Sequence, residues 1–159
     1  MAPSGTPATD DAAASMRALA ERLYPICRSI TGDGVRRSLA EMGRLVPLEV
    51  TEVPSGTPVF DWRVPDEWNI EAARIEGPDG EGVVDFADHT LHVLNYSVPI
   101  EGTFPRAELD EHLYSLPEQP DLIPYRTSYY QPRWGFCLSD RLRRSLPEGD
   151  YRVEIDSRL

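Results

Sequence analysis

Fifteen prolines are spread through this 159-residue chain, roughly twice ordinary usage. Each removes a backbone donor and fixes φ, so a long helix or a central strand cannot run through it. The spacing therefore predicts many short elements joined by defined loops, and it excludes a helical bundle. The length suffices for one ordinary domain, or a domain and a fragment, with a real core.

Helical periodicity comes first. Met16, Leu19, Leu23, Ile26 and Ile30 recur at steps of three and four from Asp11 onward, which places them on one face. Pro25 should kink that helix or make it restart. Thr31-Gly32-Asp33-Gly34 is turn chemistry, with Asp33 a candidate N-cap. The next helix carries Val35, Leu39, Met42 and Val46 on one side and ends at Pro47. Residues 1–15, small and polar, read as a disordered tail; without a basic start or an apolar stretch they are not a secretion signal.

Strand signals follow. Leu48 to Val53 alternates, Val59 to Val64 reads as a short extended segment, and Asn69–Ile75 and Val83–Phe86 flank a Pro-Asp-Gly turn as a hairpin. Thr90 to Tyr96 reads as a further strand. Pro105 opens a helix with Leu109, Leu113 and Leu116 on one face, stopped by Pro117. Ser139 is the N-cap expected for a short helix holding Leu142 and Leu146, and Tyr151 to Asp156 alternates as a closing strand. The whole reads as α+β: N-terminal helices, then a mostly antiparallel β lobe with one or two short helices.

The chemistry visible in the residues is sparse. Twenty-seven acidic against sixteen basic residues give a formal charge of −11, which argues against nucleic acid as a partner. No apolar stretch is long enough to span a bilayer. Cys27 and Cys137, far apart and outside any metal-type spacing, suit a reducing cytoplasm. His89 and His92, three apart in a β-like context, should point to opposite faces of a strand, and His112 stands by itself on a helix. No zinc motif is present, so no metal ligand is assigned. There is no Gly-x-Ser-x-Gly, and no catalytic residue is assigned either. The Thr31–Gly34 turn could cradle an anion on free backbone donors, but without a longer glycine pattern a plain helix start is the better reading. Tyr125, Tyr129, Tyr130, Trp134 and Phe136 form an aromatic run that also holds Arg126, Arg133 and Cys137. It makes either the floor of a core or the wall of a binding site.

Four stretches carry a resemblance: Tyr24 to Arg36 (YPICRSITGDGVR), Val53 to Ile70 (VPSGTPVFDWRVPDEWNI), His92 to Pro99 (HVLNYSVP) and Leu113 to Leu138 (LYSLPEQPDLIPYRTSYYQPRWGFCL). Together they resemble the N-terminal portion of the bacterial aminopeptidase-like family, a domain-of-unknown-function group related to the co-catalytic zinc aminopeptidases. The resemblance implies that 16–46 is a helical segment of a peptidase-like domain, 47–150 an inserted β-rich lobe, and 151–159 a strand returning to the peptidase-like domain. It implies zinc for the full family domain but none in this chain, because the family's metal-binding residues follow this point. Within the matched stretches Asp61, Trp62, Arg126, Tyr129 and Trp134 are the candidates to face a substrate cleft, on their clustered charge and aromaticity, with a structural role as the other reading.

Two functions are expected on these grounds. One is the N-terminal portion of a zinc aminopeptidase-like hydrolase, inactive by itself and completed by a missing catalytic domain or partner chain. The other is a stand-alone binding or assembly module derived from that family, acting through a partner protein or by self-association. A small-molecule binder using the Tyr125–Phe136 wall is a third reading. In each case the protein is expected to be cytoplasmic, with no nucleic acid or membrane partner.

Overall fold

A computed structural model of the chain describes residues 7–159. In order, its elements are α1 (Pro7–Leu23), α2 (Asp33–Gly43), β1 (Pro58–Val59), β2 (Trp62–Arg63), β3 (Asn69–Glu76), β4 (Gly82–Asp85), β5 (Ile100–Pro105), α3 (Arg106–Leu109), β6 (Leu113–Tyr114), β7 (Phe136–Cys137), α4 (Asp140–Ser145) and β8 (Asp150–Arg158), with 3-10 turns at Thr90–His92 and Asp110–His112. The α+β architecture is as expected.

One antiparallel sheet, ordered β4-β3-β8-β5, organises the rest. The closing strand lies inside it. Ile155 pairs with Ala73 on one side and Ile100 on the other, and Val153 with Ile75 and Gly102. Both neighbours of β8 thus belong to the segment between residues 69 and 105. Strict alternation explains the position: Tyr151, Val153, Ile155 and Ser157 are buried and the residues between them are more open, the pattern of a strand with one face on a core. Ala73, Ile75 and Val84 extend that face. The expected β3–β4 hairpin forms, with Arg74 opposite Asp85.

Residues 90–146 cover the buried face. Val93, Tyr96, Leu109, Leu113, Phe136 and Leu138 join Trp68 and the sheet residues in one cluster. Each large side chain buried there contributes roughly 1.5–3 kcal/mol of hydrophobic stabilisation. Ser97, wholly buried, is the polar node of this layer. Its carbonyl accepts from Trp68 Nε1 (2.9 Å) and Ser157 Oγ (2.7 Å), and its hydroxyl donates to the Leu94 carbonyl.

Several local expectations give way to tertiary contacts. Residues 7–15, expected as tail, are helical: Pro7 sits at the first turn, where its missing N–H costs nothing, and a run of alanines follows. Residues 1–6 of that expected tail lie outside the described residues. The first helix ends at Leu23 and does not restart after Pro25. Thr90–Tyr96 is not a strand. The His89 ring accepts the Leu91 N–H (3.1 Å) and turns the chain into a 3-10 turn, after which Val93 and Asn95 make single bridges to Phe136 and Thr127. The helix opened by Pro105 lasts one turn and tightens to 3-10, because Leu113 leaves to pair in parallel with Phe136. Leu48–Val53 is not assigned as a strand and has no partner among the described residues. The Ser139 cap is as expected, its hydroxyl accepting the Leu142 N–H at 3.2 Å. Among the described residues, no helix is long and apolar enough to cross a membrane.

Candidate functional site

A groove lies where the loop before α2 meets the start of β3. A cavity of about 350 Å³ is bounded by Cys27, Ser29, Thr31, Asp33 and Arg37 on one wall and by Trp68, Asn69 and Glu71 on the other. Two glycines let the walls meet. Gly32 has φ of 90°, and a Cβ on it would lie 2.3 Å from the Trp68 carbonyl oxygen; one on Gly34 would lie 1.7 Å from that of Cys27. Only glycine fits either place. Asp33 is not the N-cap. Gly32 holds that position, and the Asn69 side chain accepts the Asp33 N–H at 2.8 Å. The Thr31–Gly34 turn is thus a helix start capped from another element.

Most polar groups of the groove hold it together. Thr31 Oγ1 accepts the Trp68 N–H (3.1 Å) and lies 2.6 Å from the Tyr96 hydroxyl. Burial raises the pKa of that phenol. The Tyr96 ring stacks on Trp68 at 5.7 Å and meets Tyr130 edge-on at 4.7 Å. Ser29 Oγ is buried without a partner among the described residues. Burial also pushes up the Cys27 thiol, so it is no activated nucleophile.

Tyr96 ties the groove to an exposed aromatic ledge. Tyr96, Tyr129 and Tyr130 all have left-handed backbone, with φ of 67°, 50° and 66°, unusual for large side chains. Flanking bonds hold the turn: Asn95 N–H to the Arg126 carbonyl and Ser128 N–H to that of Asn95, both 3.0 Å. The aromatic run is therefore split. Tyr125, Tyr129 and Tyr130 are exposed, Phe136 and Cys137 are fully buried, and Trp134 lies between. Burial lifts the Cys137 thiol to about 12.

The five cleft candidates fall on separate elements. Asp61 and Trp62 are exposed on the β1–β2 hairpin, Arg126 and Tyr129 are exposed on the ledge, and Trp134 is packed between Phe104 and His112, its ring 3.6 Å from that of His112. None of the five lines the groove. The Thr31–Gly34 turn was singled out in the sequence, but its pairing with Trp68 and Asn69 was not, because those residues are far apart in the chain.

The histidines also differ from expectation. His89 and His92 lie on one turn, their rings 6.1 Å apart, rather than on opposite faces of a strand. Both ring nitrogens of His89, and one each of His92 and His112, are hydrogen-bonded. His89 accepts at Nδ1, so its proton is on Nε2, 2.9 Å from the Tyr24 hydroxyl. His92 and His112 donate from Nδ1 to the carbonyls of Cys137 (2.8 Å) and Trp134 (3.1 Å). Among the described residues no three His, Cys, Asp or Glu side chains converge as a metal site would require.

Fold and groove together define the class: an α+β module whose buried polar groups mostly brace loops and whose exposed side chains include a ledge of tyrosines. The domain of unknown function DUF2172 matches residues 67–158, and the chain belongs to that family. A protein of Clostridium acetobutylicum, provisionally named as a polysaccharide biosynthesis protein with an aminopeptidase-like domain, is 50% identical over 141 residues, which is 89% of this chain but 32% of that protein. A crystal structure from the same organism, described provisionally as a peptidase, superposes with a TM-score of 0.90 at 47% identity, covering 94% of this chain and 35% of that one. The chain thus spans about a third of the length of each relative.

Proposed function

We propose that this chain is the N-terminal portion of a zinc aminopeptidase-like hydrolase and shapes a cleft with a metal-bearing remainder, without hydrolysing substrate by itself. The observation that carries this reading is the 50% identity to a protein named for an aminopeptidase-like domain, of which the chain covers only 32%. The residues present do not fit a zinc centre of their own, since no three His, Cys, Asp or Glu side chains converge among the described residues. No step through a metal is therefore assigned to them. The contribution of this chain is surface: the ledge of Tyr125, Tyr129 and Arg126 and the hairpin bearing Asp61 and Trp62 would wall a cleft for an amino-terminal residue or a small amide.

The test is the intact mass and zinc content of the protein from its native source. A mass two to three times 17.9 kDa, with zinc and aminopeptidase activity absent from the 159 residues by themselves, is expected. A native mass of 17.9 kDa, or one tight zinc per 159-residue chain, would overturn the reading and favour a stand-alone binding module.

A further inference from the structure

The sequence of Leu48–Val53 has the alternation of a strand, yet no backbone amide or carbonyl in it makes a backbone hydrogen bond among the described residues. Neither is the segment a loose loop. Arg36, on α2, donates from Nε to Glu52 (2.7 Å) while its two terminal nitrogens grip Glu67 (2.8 and 2.6 Å), so the segment is fastened to the helix and to the entry of β3. A cavity of about 430 Å³ separates its Val50–Val53 part from Val35 and Leu39. Apolar side chains in and just before the segment are open: Met42, Leu45, Val46, Leu48, Val50 and Val53 are each between 38% and 57% exposed. An extended stretch with open backbone groups and apolar side chains is a template for adding a strand.

We infer that Leu48–Val53 is a β-strand whose hydrogen-bonding partner is a sheet-edge strand in the remainder of a longer polypeptide, with the apolar side chains from Met42 onward covered by the same contact. This rests on the reading of the chain as part of a longer protein. The lengths support that occupant: about two thirds of each relative lies outside the matched part. A second copy of this chain is the poorer fit, because each copy carries a formal charge of −11, and like charge opposes close association. Pro47 and Pro54 bracket the segment and confine the pairing to about six residues, since neither can donate to a ladder.

Amide hydrogen exchange tests this on the 159-residue chain and on the native polypeptide from which its sequence comes. In the 159 residues the amides of Leu48–Val53 should exchange as exposed backbone. In a longer native polypeptide they should be protected by a factor of about 100 or more, as paired strands are. Val50→Asp should leave the Tm of the 159-residue chain within about 1 °C, since Val50 is already half exposed. In the longer polypeptide it should lower Tm by about 3 °C or more. Free exchange of these amides in a longer native polypeptide sinks the strand pairing while leaving the proposed function standing. Protection that grows with concentration in the 159 residues, with a dimer mass, makes a second copy the occupant and sinks the inference. A native mass of 17.9 kDa sinks both.

Discussion

Residues 67–158 and residues 7–66 use similar apolar side chains to opposite effect. In the first region Ile75, Val153, Phe136 and Tyr151 have no solvent exposure, and alternation along β8 is read out directly as burial. In the second, Met16, Ile30, Val50 and Phe60 are exposed, Phe60 completely. The difference is in partners. In the first region residues 90–146 cover the inward face of the sheet, whereas α2 and Leu48–Val53 are joined by the Arg36–Glu52 pair and leave a cavity between their apolar side chains. Apolar periodicity states what a segment can bury; it does not state against what.

The comparison can be broken most directly by truncation. Phe136→Ala should cost about 3–5 kcal/mol, while Phe60→Ala should change stability by no more than about 0.5 kcal/mol. Equal losses in urea melts would show that the two regions are not packed as described. The same contrast holds between glycines. Gly34→Ala drives a methyl group into the Cys27 carbonyl and should cost about 1–3 kcal/mol. Gly43→Ala meets nothing within 4 Å and should stabilise α2 by about 0.5–1 kcal/mol.

Acid should separate the two regions next. Arg143, and then Arg106, hold the Asp110 carboxyl at about 2, below its ordinary value of 3.8. A depressed carboxylate stabilises the fold above its ordinary pKa, and that contribution disappears as pH falls through the folded value. Thermal melts should therefore lose stability between about pH 4 and pH 2, and Asp110→Asn should flatten that fall. Glu67, held at about 2 chiefly by Arg36 of α2, acts over the same window, but Arg36 is more open to solvent than Arg106 or Arg143, so this pair is more subject to salt screening. Added salt should thus narrow the fall seen in Asp110→Asn more than that seen in the unmodified chain.

The smallest effect is on thiol chemistry. Cys137, buried and lifted to about 12, should resist a thiol reagent at pH 8 in the folded protein, while partly open Cys27 reacts slowly. One thiol titrating before unfolding and two after is the expected count.

Legibility followed the range of the contacts. The β3–β4 hairpin, the Ser139 cap and the closing strand were readable because turn residues, a hydroxyl three residues before the amide that donates to it, and strict alternation are local signals. The candidate groove was not readable. Asn69 caps α2 across thirty-six residues of chain, and Thr31 reaches Tyr96 across sixty-five, so neither pairing leaves a mark in a short window. The five cleft candidates share charge and aromaticity, a property of composition, and they sit on separate elements.

The sequence by itself determined the α+β class, the short elements imposed by fifteen prolines, and the face of β8 that goes inward, because all three rest on backbone chemistry and on a period of two. Only the tertiary structure decided that β8 lies between β3 and β5, that Thr90–Tyr96 turns instead of extending, that the histidines bond to backbone groups and a phenol, and that Leu48–Val53 is left open. Each of those depends on which distant segment supplies the partner for a backbone or apolar group, and a local pattern carries no record of that choice.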